Sequence, residues 1–237
     1  MNSYKKTARL AGLMYLILII TGIFSLMYVP SKIFVYDDTA ATIHNILSYE
    51  FLFRMGIVIS LISSVFYLIL VLTLNSLFKP VNAKLAFSMV TMVVISVAIS
   101  FVNMLNEAGA LILLKSPQIA AAFDQTQIHV LIKLFLDIYG QGDVINGVFW
   151  GLWLIPFGIL VIKSGFIPKI PGYFLIAGGI GYAAASLTTL LFPDYGNAVT
   201  QYATIPADIG EFSMMLWLII KGVKDQPKTS QVQGGAG

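Results

Sequence analysis

Near its C-terminal end the chain reads PADIGEFSMMLWLIIKG (206–222), with Asp208 and Glu211 three residues apart in an otherwise apolar run. That spacing puts both carboxylates on one face of a helix. A second apolar stretch, SFVNMLNEAGALILL (100–114), carries Asn103, Asn106 and Glu107, and a third holds Asp143 and Asn146. Acids and amides embedded in apolar helix can bind a small polar or cationic solute, relay a proton, or act as acid and base. They can also serve as interhelical hydrogen bonds and ion pairs that fix packing. Arg54 is the one arginine beyond the N-terminal segment, and its guanidinium can meet a carboxylate with two parallel hydrogen bonds. Its expected partner is Glu50, Glu107, Asp143 or Asp208.

The setting of these groups follows from composition. The chain is 58% hydrophobic and 11% charged, with a mean hydropathy of +0.87, which excludes a soluble globular domain. Crossing a hydrocarbon core of about 30 Å takes roughly 20 helical residues. Six runs meet or approach that length: 8–29, 51–78, 85–114, 141–162, 172–192 and 206–220. The expected fold is an all-α integral membrane protein with six transmembrane helices. Lys5, Lys6 and Arg9 precede the first run as in a signal peptide, but its apolar stretch is too long for one and no small-x-small cleavage site follows.

Lysine and arginine in short loops accumulate on the cytoplasmic side. With the N-terminus inside, the inner segments hold Lys5, Lys6, Arg9, Lys79, Lys84, Lys163, Lys169, Lys221, Lys224 and Lys228, and the outer ones only Lys32, Arg54, Lys115 and Lys133. Ten against four places both termini in the cytoplasm. Of the acids, only Asp225 falls inside. The net charge of +3 is therefore a cytoplasmic rim of lysines and not a surface for nucleic acid. Two outer segments, 37–50 and 125–137, have the pattern of short interfacial helices, the second through a polar stripe of Gln125, His129, Lys133 and Asp137. Residues 1–222 are expected to form one six-helix domain, and 223–237 a disordered cytoplasmic tail. Tyr28, Tyr36, Tyr49, Tyr139, Tyr195 and Tyr202 crowd the outer boundary.

Several chemistries are excluded or disfavoured. The chain has no cysteine, so disulfides and thiolate metal sites are absent; His44 and His129 lack metal-binding spacing, and no cofactor is called for. The glycines of GGIGYAAAS (178–186) lie in a membrane span with no preceding strand, so Ala177, Gly181 and Ala185 read as a helix-packing face and not a phosphate loop. Trp150, Trp153 and Trp217 lie too far inward for a boundary belt and read as core or lipid-facing bulk.

Depth follows from the helical rise of about 1.5 Å per residue, measured from the lysine of each span. Glu107 comes out about 35 Å from Lys84, at the outer boundary, with Arg54 at a similar level and Asp143 near 30 Å. Glu211 is only about 15 Å above Lys221 and Asp208 about 20 Å, both within the core. A carboxylate at that depth costs at least about 2.5–3.5 kcal/mol, so it faces the bundle interior or finds partners. Asp208 and Glu211, with Asn103, Asn106, Glu107, Asp143 and Asn146, are expected to line one funnel opening outward. Pro156 and the glycines at 140, 142, 147 and 151 could break or bend the fourth span there.

RLAGLMYL near the start, LFR (52–54), LFKPVN (77–82), SGFIPKIPG (164–172) and PADIGEFSMMLWLIIKG (206–222) together resemble the bacterial membrane family called domain of unknown function 4386. The resemblance implies a six-helix inner-membrane protein and brings no activity or catalytic residues with it. The residues themselves leave three readings: a funnel that binds or transports a small polar or cationic solute or protons, a membrane enzyme acting on lipid or envelope substrates, or a scaffold for another membrane protein. The spans offer an enzyme only scattered nucleophiles such as Ser186, Thr188 and Thr189. Because the chain lacks cysteine, single cysteines introduced at Ser230 and Asn197 report topology directly; they should be labelled from opposite sides of the membrane, and labelling from the same side would refute the six-span arrangement.

Overall fold

The computed structural model describes residues 3–35 and 37–223. Tyr36 and the tail from residue 224, including Lys224, Asp225, Lys228 and Ser230, lie outside the described residues. Among them the chain is all helical, and six helical stretches are long and apolar enough to cross a membrane. The first span, Tyr4–Ile33, combines α1 (Ser3–Gly22), a π-helical segment (Ile23–Tyr28) and α2 (Val29–Ile33). Pro30 explains the wide turn: it has no N–H to donate, and its ring crowds the carbonyl of Leu26 one turn earlier.

After α3 (Thr39–Ser48), the second and third spans are α4 (Glu50–Phe78) and α5 (Ala83–Lys115). Asp38 caps α3 by accepting from the Ala41 N–H at 2.8 Å, and Asn82 caps α5 by accepting from Leu85 at 3.0 Å. A short α6 (Pro117–Ala122) leads to α7 (Gln125–Ser164), whose start is fixed by a capping box between Asp124 and Gln127. Gly165, at φ 69°, ends it in the left-handed region that suits glycine.

This corrects the expectation for residues 125–137. They are not a separate interfacial helix but the first turns of α7, which is 40 residues long and so about 60 Å. No proline interrupts them, and their apolar face is covered: Ile128 and Ile132 pack with Ala110 of α5 and Ile43 of α3. Nor do Pro156 and the glycines break this span. The sixth span also starts earlier than Pro206. α9 (Pro193–Ala203) and α10 (Ile205–Ile220) together form one stretch, Pro193–Ile220, with α8 (Lys169–Leu191) as the fifth span before it. Thr204 is the joint, its carbonyl accepting from Ala207 at 2.9 Å and Asp208 at 3.3 Å so that the chain turns past Pro206 without ending the span.

The six spans form a ring in chain order. α1 packs on α4, α4 on α5, α5 on α7, α7 on α8, α8 on α9 and α10, and α10 closes on α1. Small residues let the backbones approach. On α7, a Cβ at Gly158 would lie 2.7 Å from Ile176 Cγ1 and 3.1 Å from its backbone nitrogen, and Gly151 meets Gly179. On the other side of α8, Gly178 abuts Ala207, Gly181 abuts Ala203 and Gly210 abuts Leu175, so α9 and α10 run antiparallel along α8 in one register. Of the three residues expected to form the packing face, Gly181 makes a contact and Ala185 is buried, but Ala177 is exposed.

The end of the ring that carries Lys79, Lys84, Lys163 and Lys221 is filled. Leu74, Leu77, Met89, Phe157, Leu160 and Leu218 are buried there in the main core. Outward-facing positions are apolar: Phe51, Phe87, Val102 and Leu105 are all well exposed, the surface a bilayer would cover. The glycine contacts can be tested by a pair of substitutions. Gly158→Ala forces a methyl against backbone and should lower stability by about 1–3 kcal/mol, whereas Gly140→Ala, which meets nothing within 4 Å, should leave the melting temperature unchanged or raise it. Thermal unfolding of the two variants in the same detergent checks this.

Candidate functional site

A cavity of about 520 Å³ lies inside the ring, above the filled lysine-bearing end, and all six spans contribute to it. Its acids and amide are Glu211 and Asp208 of α10, Asp143 of α7 and Asn103 of α5, with serine hydroxyls from the first span, α4 and α5. Among the described residues, no lysine, arginine or histidine lines it.

Glu211 is half-buried, and its Oε1 accepts a hydrogen bond from the Tyr15 hydroxyl at 2.9 Å. Tyr15 is 1% exposed and its ring leans on Trp153 with centroids 6.3 Å apart, so the phenol is held in place from behind. Where α1 and α10 meet below this bond, a Cβ at Gly12 would be 2.7 Å from the Ile219 nitrogen, which lets the two helices touch. Asp208, one turn above Glu211, is exposed.

On the opposite wall, Asn103 ties α5 to α7. Its amide donates to the Tyr139 carbonyl at 2.9 Å and to Asp143 Oδ1 at 3.1 Å, while its own oxygen accepts from Asn106 at 3.1 Å. Gly142 makes room for this, since a side chain there would occupy the space of the Asn103 amide. Gly147 does the same for the buried Ser186 hydroxyl.

The expected funnel residues therefore separate into three groups. Glu211, Asp208, Asp143 and Asn103 share the cavity. Glu107 and Asn146 are instead buried in the seam between α5 and α7, at 6% and 1% exposure. Asn146 donates to the Ser100 hydroxyl at 2.8 Å, while Glu107 Oε2, Asn146 Oδ1 and Ser96 Oγ have no protein partner. Glu107 was expected at an outer mouth; the packed α5–α7 pair continues past that level and encloses it. Asn106 lines a separate apolar groove on the outer flank of the same pair.

Arg54 stands apart from all of these. It pairs with Glu50, one of its expected partners, at 2.8 Å, and Lys115 meets the other Glu50 oxygen at 2.5 Å. Both side chains of the Arg54–Glu50 pair are accessible, so the pair is worth only about 0–1 kcal/mol.

Sequence reasoning missed the aromatic walls. Trp153 belongs to the main core and Trp150 packs against it, as one of the two expected readings has it, and both also line the cavity together with Tyr15, Tyr67, Tyr139 and Tyr182. Tyr67 meets Trp153 edge-on at 5.4 Å, and Trp150 meets Tyr182 in the same way at 6.3 Å. Below them Trp153 stacks on Phe157, which contacts Phe78, which stacks on Phe166. The available signal was spacing: Trp150 and Trp153 are three residues apart on the helix that also carries Asp143, seven residues before Trp150.

The family described as Domain of unknown function (DUF4386) matches residues 10–222. The chain belongs to this family. That match takes in most of the first span and all of the other five. A stretch of 77 residues is also 35% identical to a protein of Archaeoglobus fulgidus described as an uncharacterized protein; it covers 32% of this chain and 44% of that relative. The chain thus matches less than half of that relative's length. No solved structure matches the chain.

The wall built by Asn103 is open to test. Asn103→Ala removes the donor to Asp143 and Tyr139 and should cost about 1–3 kcal/mol. Gly142→Ala, which displaces the same amide, should cost a similar amount. Because both break one arrangement, the double variant should be clearly less destabilised than the sum, and strict additivity in a double-mutant cycle would show that the two residues do not act together.

Proposed function

We propose that the protein binds a small positively charged solute in the central cavity, as the binding component of a transport or sensing function. The observation that carries this reading is the charge of the lining: Glu211, Asp208 and Asp143 converge on one space without a lysine, arginine or histidine among the described residues that line it. A cation entering such a space gains from all three acids, and the low-dielectric walls strengthen that attraction. An anion would be repelled. Glu211 is the central contact, since its second oxygen remains for a ligand while Tyr15 holds the first.

In the same reading, the cavity faces outward in a bacterial inner membrane, and both termini lie in the cytoplasm. The lysines at the filled end of the ring support this orientation, as such residues resist translocation. Residues 1–222 act as one membrane domain, and α3 lies at the outer interface, with its buried Ile43 and Ile46 turned to the bundle. An enzyme acting on lipid or envelope substrates is less well supported: Ser186, the buried hydroxyl among the candidate nucleophiles, packs against Gly147 and does not line the cavity.

Thermal unfolding of the purified full-length protein tests the cation reading. Tetramethylammonium chloride at millimolar concentration should raise the melting temperature by several degrees relative to sodium chloride at equal ionic strength. The Asp208→Asn, Glu211→Gln double variant should lose that rise. An equal rise in the double variant would refute the cavity as the cation site.

A further inference from the structure

We propose that the ligand is an organic ammonium ion with an apolar or aromatic body, and that it enters between the first and sixth spans. This rests on the cation reading above and narrows it to a chemical class.

The acids alone would suit several cations, so the choice falls to the rest of the wall. A bare metal ion needs several oxygens drawn together around it, six to eight for calcium. Among the described residues, no three acidic or histidine side chains gather closely enough to hold a metal ion. Asp143 stands on α7 beside Asn103, while Asp208 and Glu211 stand on α10, so the acids flank a space instead of enclosing a point. A ligand that answers acids on both sides has to fill the distance between them.

The rings that share the lining with the acids identify what fills it. Trp150, Tyr182 and Tyr139 are half-buried in the lining, and Trp153, Tyr67 and Tyr15 form the floor. Indole and phenol faces attract an ammonium ion and its polarised methyl groups, tryptophan most strongly. The same faces, with Leu18, Ile19 and Met104, offer an apolar body a surface that water or a small hydrated ion would not favour. A volume of about 520 Å³ falls within the range of small-molecule sites.

The route of entry points the same way. The exposed members of the lining are Ile23, Leu26 and Met27 on the π-helical segment and Asp208 and Phe212 on α10. The cavity is therefore reached between the first and sixth spans, above the contact of Gly12 with Ile219. Four of those five side chains are apolar and belong to membrane-spanning helices. A ligand with an apolar body can partition into the bilayer edge and arrive there directly, with Asp208 placed to meet its charge.

Tryptophan fluorescence reads this site, because Trp150 and Trp153 line the cavity and the third tryptophan, Trp217, does not. Three probes separate charge from body: benzyltrimethylammonium, its uncharged isostere neopentylbenzene, and tetramethylammonium. In titrations of the full-length protein, benzyltrimethylammonium should give a saturable change at a concentration at least tenfold lower than either of the others. Glu211→Gln should raise its midpoint at least tenfold. Trp150→Ala should raise it at least threefold while Trp150→Phe restores most of the loss, with Trp153 still reporting and the melting temperature of each variant confirming that it is folded. If tetramethylammonium bound as tightly as benzyltrimethylammonium, and Glu211→Gln weakened both, the cation reading would stand and the apolar body would be refuted. Equal binding of neopentylbenzene, or no saturable response to any probe, would overturn both.

Discussion

A bilayer core offers no hydrogen bonds, so polar groups carried into it are answered mostly from within the protein, and that constraint shapes this chain at each level, with Glu107 Oε2, Asn146 Oδ1 and Ser96 Oγ among the exceptions. The hydroxyls of the spans turn back on their own helices: Ser64 donates to the Ser60 carbonyl at 2.9 Å, Thr73 to Ile69 at 2.7 Å and Ser100 to Ser96 at 3.1 Å. Larger polar groups need a neighbouring helix. Asn103 uses both amide hydrogens and its oxygen across α5 and α7, and Glu211 takes the Tyr15 phenol from the far side of the ring closure. These bonds reach only because the backbones are close, and the backbones are close only where glycine or alanine stands at the crossing. Gly142 beside Asn103 and Gly12 beside Ile219 are thus part of the polar site although they carry no polar atom.

The architecture was legible in the sequence to the extent that hydrophobic length decides it. Six helical stretches long and apolar enough to cross a membrane and the cap at Asp38 follow from local patterns, because each depends on residues close in the chain. What local pattern cannot carry is which helix lies opposite. Glu107 and Asp143 are at similar depth, yet Asp143 faces the cavity and Glu107 is shut in the α5–α7 seam, a difference of rotation about parallel axes that no depth measure contains. The extent of α7 was missed for a related reason. Its first turns have a polar stripe and an apolar face, as a surface helix has, but the apolar face is covered by α5 and α3 instead of lipid headgroups.

The aromatic residues show the same limit from the other side. A tryptophan in a membrane helix has no polarity that betrays its direction, so Trp150 and Trp153 could be read as bulk until their neighbours were known. Once placed, they combine with acids from α7 and α10 to give the cavity two kinds of wall, one electrostatic and one made of ring faces.

The column of rings beneath the cavity, from Trp153 through Phe157 and Phe78 to Phe166, runs toward the lysine-bearing end. Packed rings of this kind leave little room for water as well as forming a floor. Stacked carbon surfaces offer no hydrogen bonds, so this column separates the polar lining of the cavity from the lysine-bearing end.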